Sequence, residues 1–81
     1  MNIVDIYMNN LRKEDIINFA LKKDIILYKE ELDFTYDFIK THYKEIMKDK
    51  YKYNFKDYEN RFSKENAEKI NKLISEYINY L

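Results

Sequence analysis

Lysines and aromatic rings alternate between residues 40 and 56, and this stretch carries the clearest candidate chemistry in the sequence. Six lysines stand there against Glu45 and Asp49, which gives a local charge of +4. Cations bind phosphates and flat rings stack on bases, so this mixture is typical of proteins that bind single-stranded nucleic acid. The candidate nucleic-acid-binding residues are Lys44, Lys48, Lys50, Tyr51 and Lys52.

The same lysines also have an explanation that needs no ligand. Lys40, Lys44 and Lys48 recur every fourth residue in the C-terminal half of a predicted helix, where the helix dipole favours cations. Arg61 is the one arginine nearby, although arginine reads phosphates and bases better than lysine does. The whole chain has a formal net charge of zero, which argues against a general polyanion binder. Nucleic-acid binding, to RNA or to a single strand, is therefore the alternative prediction.

Carboxylates and the single histidine offer a weaker candidate, a metal site. Asp33 and Asp37 are four residues apart on a predicted helix, but hard cations take six or more oxygen ligands. His42 and Glu45 are three apart, yet di-iron bundles need a Glu-x-x-His pair from two helices and the chain has one His. We expect no metal and no cofactor.

Catalytic constellations are equally hard to assemble from this composition. The chain contains no Cys and no Gly, which removes thiol nucleophiles and the glycine-rich loops that cradle phosphates. Ser63 has an ordinary role as a helix N-cap, and no Ser-His-Asp set can be assigned. The sequence predicts that the protein is not an enzyme and has no small-molecule substrate.

Length and patterning set the architecture that positions these residues. At 81 residues the chain is long enough for one domain, predicted over residues 1–81. No segment approaches the roughly 18 apolar residues of a membrane span, and the absence of cysteine favours the reduced cytoplasm.

The chain also lacks Pro, so turns must use Asn, Asp and Lys, of which Asn and Asp best tolerate left-handed backbone after Gly.

Hydrophobic periodicity predicts an all-α fold, a compact bundle of about four helices with no sheet or at most a minimal two-strand pairing. In the second helix, Ile16, Phe19, Ala20 and Lys23 share one face, and Ile17 and Leu21 widen its apolar side. Two predicted helices are short and two are long, over residues 2–9, 12–23, 29–48 and 64–80. The connections are a buried linker over 24–28, a linker over 49–56 and a helical turn over 57–62 that leads to the Ser63 cap.

The order of these elements resembles a family of short helical proteins of low-GC Gram-positive bacteria, the YqfT-like group. The similarity spans residues 11–81. It is carried by the run LRKEDIINFALKKDIILYKEELDFTYDFIK and by the linker residues Asn54 and Phe55, followed by the cap segment SKENAEKI that starts at Ser63. The resemblance implies a bacterial helical protein with no assigned activity.

Surplus apolar surface on the long predicted helix points to the leading hypothesis. Leu32, Tyr36 and Ile39 begin a regular buried stripe, and Phe34 and Phe38 form a second row beside it. Either the N-terminal helix covers those two rings, or a second copy or another protein does. We therefore expect a small non-catalytic interaction or regulatory protein, with Phe34 and Phe38 as its partner-binding anchors.

Overall fold

The computed structural model describes residues 2–78, and in that range it contains four α-helices and no strand. The all-α prediction, with two short and two long helices, is confirmed. The predicted continuation of the last helix to residue 80 lies outside the described residues. The elements are α1 (Ile3–Asn9), α2 (Lys13–Lys22), α3 (Lys29–Lys48), two 3-10 turns (Phe55–Asp57 and Glu59–Arg61) and α4 (Lys64–Tyr77).

The chain divides into two units, Met1–Tyr43 and Lys44–Leu81. The first contains α1, α2 and most of α3, and the second contains the end of α3, the 3-10 turns and α4. The single domain expected over residues 1–81 stays a prediction. None of the helices within residues 2–78 is long and apolar enough to cross a membrane.

The end of α2 shows how a chain without glycine makes a sharp turn. Asp24 has φ 62°, the left-handed conformation usually taken by Gly. The Ile25 amide donates to the Ala20 carbonyl at 2.8 Å and the Asp24 amide donates to the Leu21 carbonyl at 3.0 Å, which is the Schellman pattern. Ile25 and Ala20 are both buried. The prediction that Asp would serve such turns is confirmed by Asp24.

Packing in the first unit centres on α2. Ile16 and Ala20 are buried on one face of that helix, together with Leu11 before it and Ile25 after it. An ion pair joins α2 to α3, since the Lys13 ammonium lies 2.8 Å from Asp33. These contacts fix which side of α2 faces the core.

Two side chains of α3 hold α1 in place. The Tyr43 hydroxyl donates to Oδ1 of Asp5 at 2.9 Å, and the Lys40 ammonium donates to the Met8 carbonyl at 2.7 Å. The lysine is a second donor to this carbonyl in the last turn of α1, which also accepts a hydrogen bond from the Leu11 amide at 3.2 Å. At the other end of α1, the Asn2 side chain accepts a hydrogen bond from the Asp5 amide at 2.8 Å.

Aromatic rings organise the linker of the second unit. Phe55 and Phe62 have ring centroids 5.6 Å apart, a normal spacing for packed rings. Ser63 is the N-cap of α4, because its hydroxyl accepts a hydrogen bond from the Asn66 amide at 3.1 Å. The predicted cap is confirmed, and the predicted turn of helix before it is a pair of 3-10 turns.

Candidate interaction surface

The predicted anchors Phe34 and Phe38 lie one turn apart on α3, and both are half-buried. Their ring centroids are 5.8 Å apart, and the ring of His42 continues the row at 4.7 Å from Phe38. These rings keep part of their surface in water, but they are not the most exposed apolar side chains of the first unit.

A more exposed apolar pair lies on α2. Ile17 is 38% exposed and Leu21, one turn later, is 52% exposed. Because residues four apart are neighbours on a helix, the two side chains form a continuous apolar patch, here called the α2 patch. The sequence shows that both residues are apolar and lie on one side of the helix. It does not show that their side chains lie outside the core.

Phe19 shares a face of α2 with Ile16 and Ala20 by its spacing, but half of its surface is exposed. The Lys23 ammonium lies 5.9 Å from its ring centroid, a cation–π distance. The buried stripe of α2 is therefore narrower than its apolar face.

The linker over residues 24–28 is only half buried, in contrast to the predicted buried linker. Ile25 is buried and Leu27 is half-buried, whereas Ile26 and Tyr28 are largely exposed. This alternation is typical of extended backbone, in which successive side chains point to opposite sides. It adds two exposed apolar side chains to the first unit.

The lysine-tyrosine stretch is partly used by the protein itself. The Lys52 ammonium lies 2.6 Å from Oε2 of Glu45, and the Tyr53 hydroxyl donates to the same oxygen at 2.8 Å. The hydrogen bond to Glu45 is the main reason why the pKa values of Lys52 and Tyr53 are raised. Lys50 donates to the Ile78 carbonyl at 3.1 Å. Of the five predicted nucleic-acid-binding residues, Lys50 and Lys52 thus use their ammonium groups in polar contacts within the chain.

The other three, Lys44, Lys48 and Tyr51, have exposed side chains. Tyr51 is 68% exposed, and the Lys50 ammonium lies 5.4 Å from its ring centroid. A concavity of about 330 Å³ lies beside this ring, and Asp49 is among the residues that line it. A carboxylate there opposes the approach of a phosphate, so the geometry favours stacking more than phosphate binding. The lining residues are Ile46, Met47, Lys48, Asp49, Lys50 and Tyr51.

The acidic residues at the start of α3 are accounted for by local contacts. Glu31 is buried, and its carboxylate accepts a hydrogen bond from the Tyr28 amide at 2.8 Å, a capping interaction. Asp33 is paired with Lys13 and with Lys29, and hydrogen bonds from both hold its pKa below the ordinary value. Within residues 2–78, no group of three or more His, Asp or Glu side chains is arranged to hold a metal ion.

Comparison with known proteins adds no assignment to this geometry. No protein-family model, no curated protein and no solved structure matches the chain. The resemblance to the YqfT-like group stays a prediction.

Proposed function

We propose that this chain is a small non-catalytic interaction protein that binds a protein partner through apolar surface of its first unit. The observation that carries the proposal is the α2 patch, in which Ile17 and Leu21 are exposed one turn apart on a helix whose neighbouring face, formed by Ile16 and Ala20, is buried. Exposed apolar side chains that form a continuous surface mark interaction sites more often than isolated ones do. A cytoplasmic location belongs to the same proposal and rests on the absence of cysteine.

The α2 patch suits an apolar helical face of a partner. Anchors at positions i and i+4 are the spacing used when two helices recognise each other in a groove or along a seam. Asn18 and Lys22 lie on the polar side of α2 and are exposed, so the patch has a polar margin. Phe34 and Phe38 are the second set of anchors in this proposal, because their rings are only half-buried and lie one turn apart in the same unit.

Nucleic-acid binding remains the second candidate, and the observation in its favour is Tyr51. Its ring is exposed beside Lys48 and Lys50, as stacking on a single-stranded base requires. The partners of Lys50 and Lys52 within the chain count against it, since a phosphate would have to compete with Glu45 and with a backbone carbonyl. Binding of this kind must weaken steeply as salt is added.

Affinity capture with matched variants tests both candidates. Three tagged proteins are incubated with native lysate, and the proteins that each one captures are compared. They are the wild type, the α2-patch variant Ile17→Ser/Leu21→Ser, and the control variant Asn18→Ser/Lys22→Ser on the polar side of the same helix. Each capture is repeated after nuclease treatment. A lysate protein supports the proposal if the wild type and the control variant capture it, the Ile17→Ser/Leu21→Ser variant does not, and nuclease treatment leaves its capture unchanged.

Two results would count against the leading function. Equal capture by all three proteins would show that the α2 patch is not used. Capture that disappears with nuclease, and also in Tyr51→Ala, would favour the nucleic-acid candidate instead. Circular dichroism of each variant establishes that the helices are intact before capture is interpreted.

A further inference from the structure

The first helix directs its apolar face away from the rest of the first unit. Ile3, Ile6 and Tyr7 share one face, because they are spaced three and four residues apart. Ile3 is 83% exposed, Ile6 49% and Tyr7 59%. The opposite side of α1 holds Asp5 and Met8, which are half-buried. We call the outward side the α1 face, and it is the most exposed continuous apolar surface among the described helices.

This orientation is fixed by polar contacts. Rolling α1 to bury Ile3 and Tyr7 would break the hydrogen bond between Tyr43 and Asp5 at 2.9 Å. The same movement would remove the Met8 carbonyl from the Lys40 ammonium, 2.7 Å away. The outward direction of the α1 face is therefore a property of the folded unit, since α3 holds the other side of the helix.

The α1 face also carries no charge. Asp5 is the only charged residue of α1, and its carboxylate points to Tyr43. Asn10, at the end of the helix, is the polar residue nearest to this side. In a two-fold interface the same patch meets itself, so any charge on it would oppose its own copy. A face without charge avoids that cost.

The area of the α1 face is close to the area that a small dimer interface buries. With roughly 200 Å² for a fully exposed side chain of this size, the three exposures of 83%, 49% and 59% leave about 400 Å² of mainly apolar surface. Interfaces are about 57–65% apolar, so an interface built around this face would bury roughly 600–700 Å² per chain. Stable complexes bury about 800 Å² per partner, and weak complexes bury less.

We propose that the α1 face is the contact surface of a weak, reversible homodimer, in which α1 of one chain packs on α1 of a second copy. The three apolar side chains Ile3, Ile6 and Tyr7 form the centre of the contact. The proposal goes beyond the partner binding assigned to the α2 patch and does not depend on it.

Sedimentation equilibrium of the full chain over a concentration series up to about 1 mM tests the dimer, because weak pairs dissociate in the micromolar to millimolar range. We expect the wild type to associate, and Ile3→Glu/Ile6→Glu to remain monomeric with unchanged helicity. Asn18→Glu/Lys22→Glu, on the exposed polar side of α2, is the matched control and should associate like the wild type. The proposal is overturned if the wild type is monomeric at every concentration. It is also overturned if the α1 variant still forms the dimer, or if only the α2 control variant loses it.

A cysteine cross-link gives an independent measurement, because the chain has no cysteine of its own. Oxidation of Ile6→Cys should give a covalent dimer faster than oxidation of Asn18→Cys, which lies on the exposed polar side of α2. Equal rates for the two variants would contradict an α1–α1 contact. This test remains informative if the charged α1 variant fails to fold.

Discussion

The hydroxyl of Tyr43 donates a hydrogen bond of 2.9 Å to the Asp5 carboxylate and so ties α1 to α3. Burial, followed by this hydrogen bond and the nearby negative charge, raises the pKa of Tyr43 above its ordinary value. The contact decides which side of α1 faces the protein, and with it whether Ile3 and Tyr7 are available for binding.

Alkaline pH should release α1. The folded-state pKa of Tyr43 is raised, so its contribution to stability is complete below the unfolded pKa of about 10 and is lost as pH rises through the folded value. Amide hydrogen exchange of residues 3–9 should accelerate in that range relative to residues 13–22. Tyr43→Phe should show fast exchange of α1 already at neutral pH, whereas Tyr53→Phe, in the second unit, should not.

Acid should weaken the link between α2 and α3. Hydrogen bonds from Lys13 and Lys29 lower the folded pKa of Asp33, so the stabilisation is present above the unfolded pKa near 3.8 and is lost as pH falls through the folded value. Asp33→Asn should therefore have a slightly lower Tm than the wild type at pH 7, and the difference should disappear in acid. Asp37→Asn, an exposed neighbour on the same helix, is the control. Equal melting of Asp33→Asn and wild type at pH 7 and low salt would contradict a stabilising pair.

The left-handed residue Asp24 gives a prediction about backbone strain. Its φ of 62° suits Gly and Asn and is costly for a β-branched side chain. We expect Asp24→Val to lower the free energy of unfolding by about 1–2 kcal/mol and Asp24→Gly to leave it unchanged or raised. Urea denaturation of both variants measures the difference. Equal stability of the two would show that residue 24 does not hold this conformation in solution.

A double substitution tests whether Phe34 and Phe38 are partner-binding anchors or core positions. Their rings are half-buried, so Phe34→Ser/Phe38→Ser should lower the free energy of unfolding by about 2 kcal/mol while the chain stays helical. We expect partner capture to fall in that variant by more than the small change in the folded fraction explains. If the variant unfolds, the two rings belong to the core and their role as anchors is wrong.

Local features were predictable from the sequence because their chemistry is local. The Ser63 cap follows from a hydroxyl in front of an amphipathic stretch. The lack of glycine predicts that Asn, Asp or Lys serve the turns, and Asp24 does so, although the sequence did not locate the turn at that residue. Helix positions followed from apolar spacing to within one residue at the ends that can be compared within residues 2–78: α2, predicted over 12–23, spans Lys13–Lys22, and α3 spans Lys29–Lys48 as predicted.

The exposure of individual side chains was less predictable from the sequence than the helix positions, because it depends on which other helix packs against each face. Spacing placed Phe19 on the same helix face as Ile16 and Ala20, and only the packing shows that Phe19 is half exposed whereas the other two are buried. The pairing of Lys13 with Asp33 joins residues 20 apart in the sequence, and no periodicity indicates such a contact. For the same reason, Lys50 and Lys52 looked like phosphate ligands before their partners within the chain were known.

Site-specific photo-crosslinking from the α2 patch tests the central claim most directly. Leu21 is replaced by p-benzoylphenylalanine in one protein and Asn18 in another, and both are irradiated in native lysate after nuclease treatment. We predict a discrete adduct with one protein from position 21, much weaker from position 18, and lost when Ile17→Ser is added. No adduct from position 21, or the same adducts from both positions, would contradict an interaction through the α2 patch.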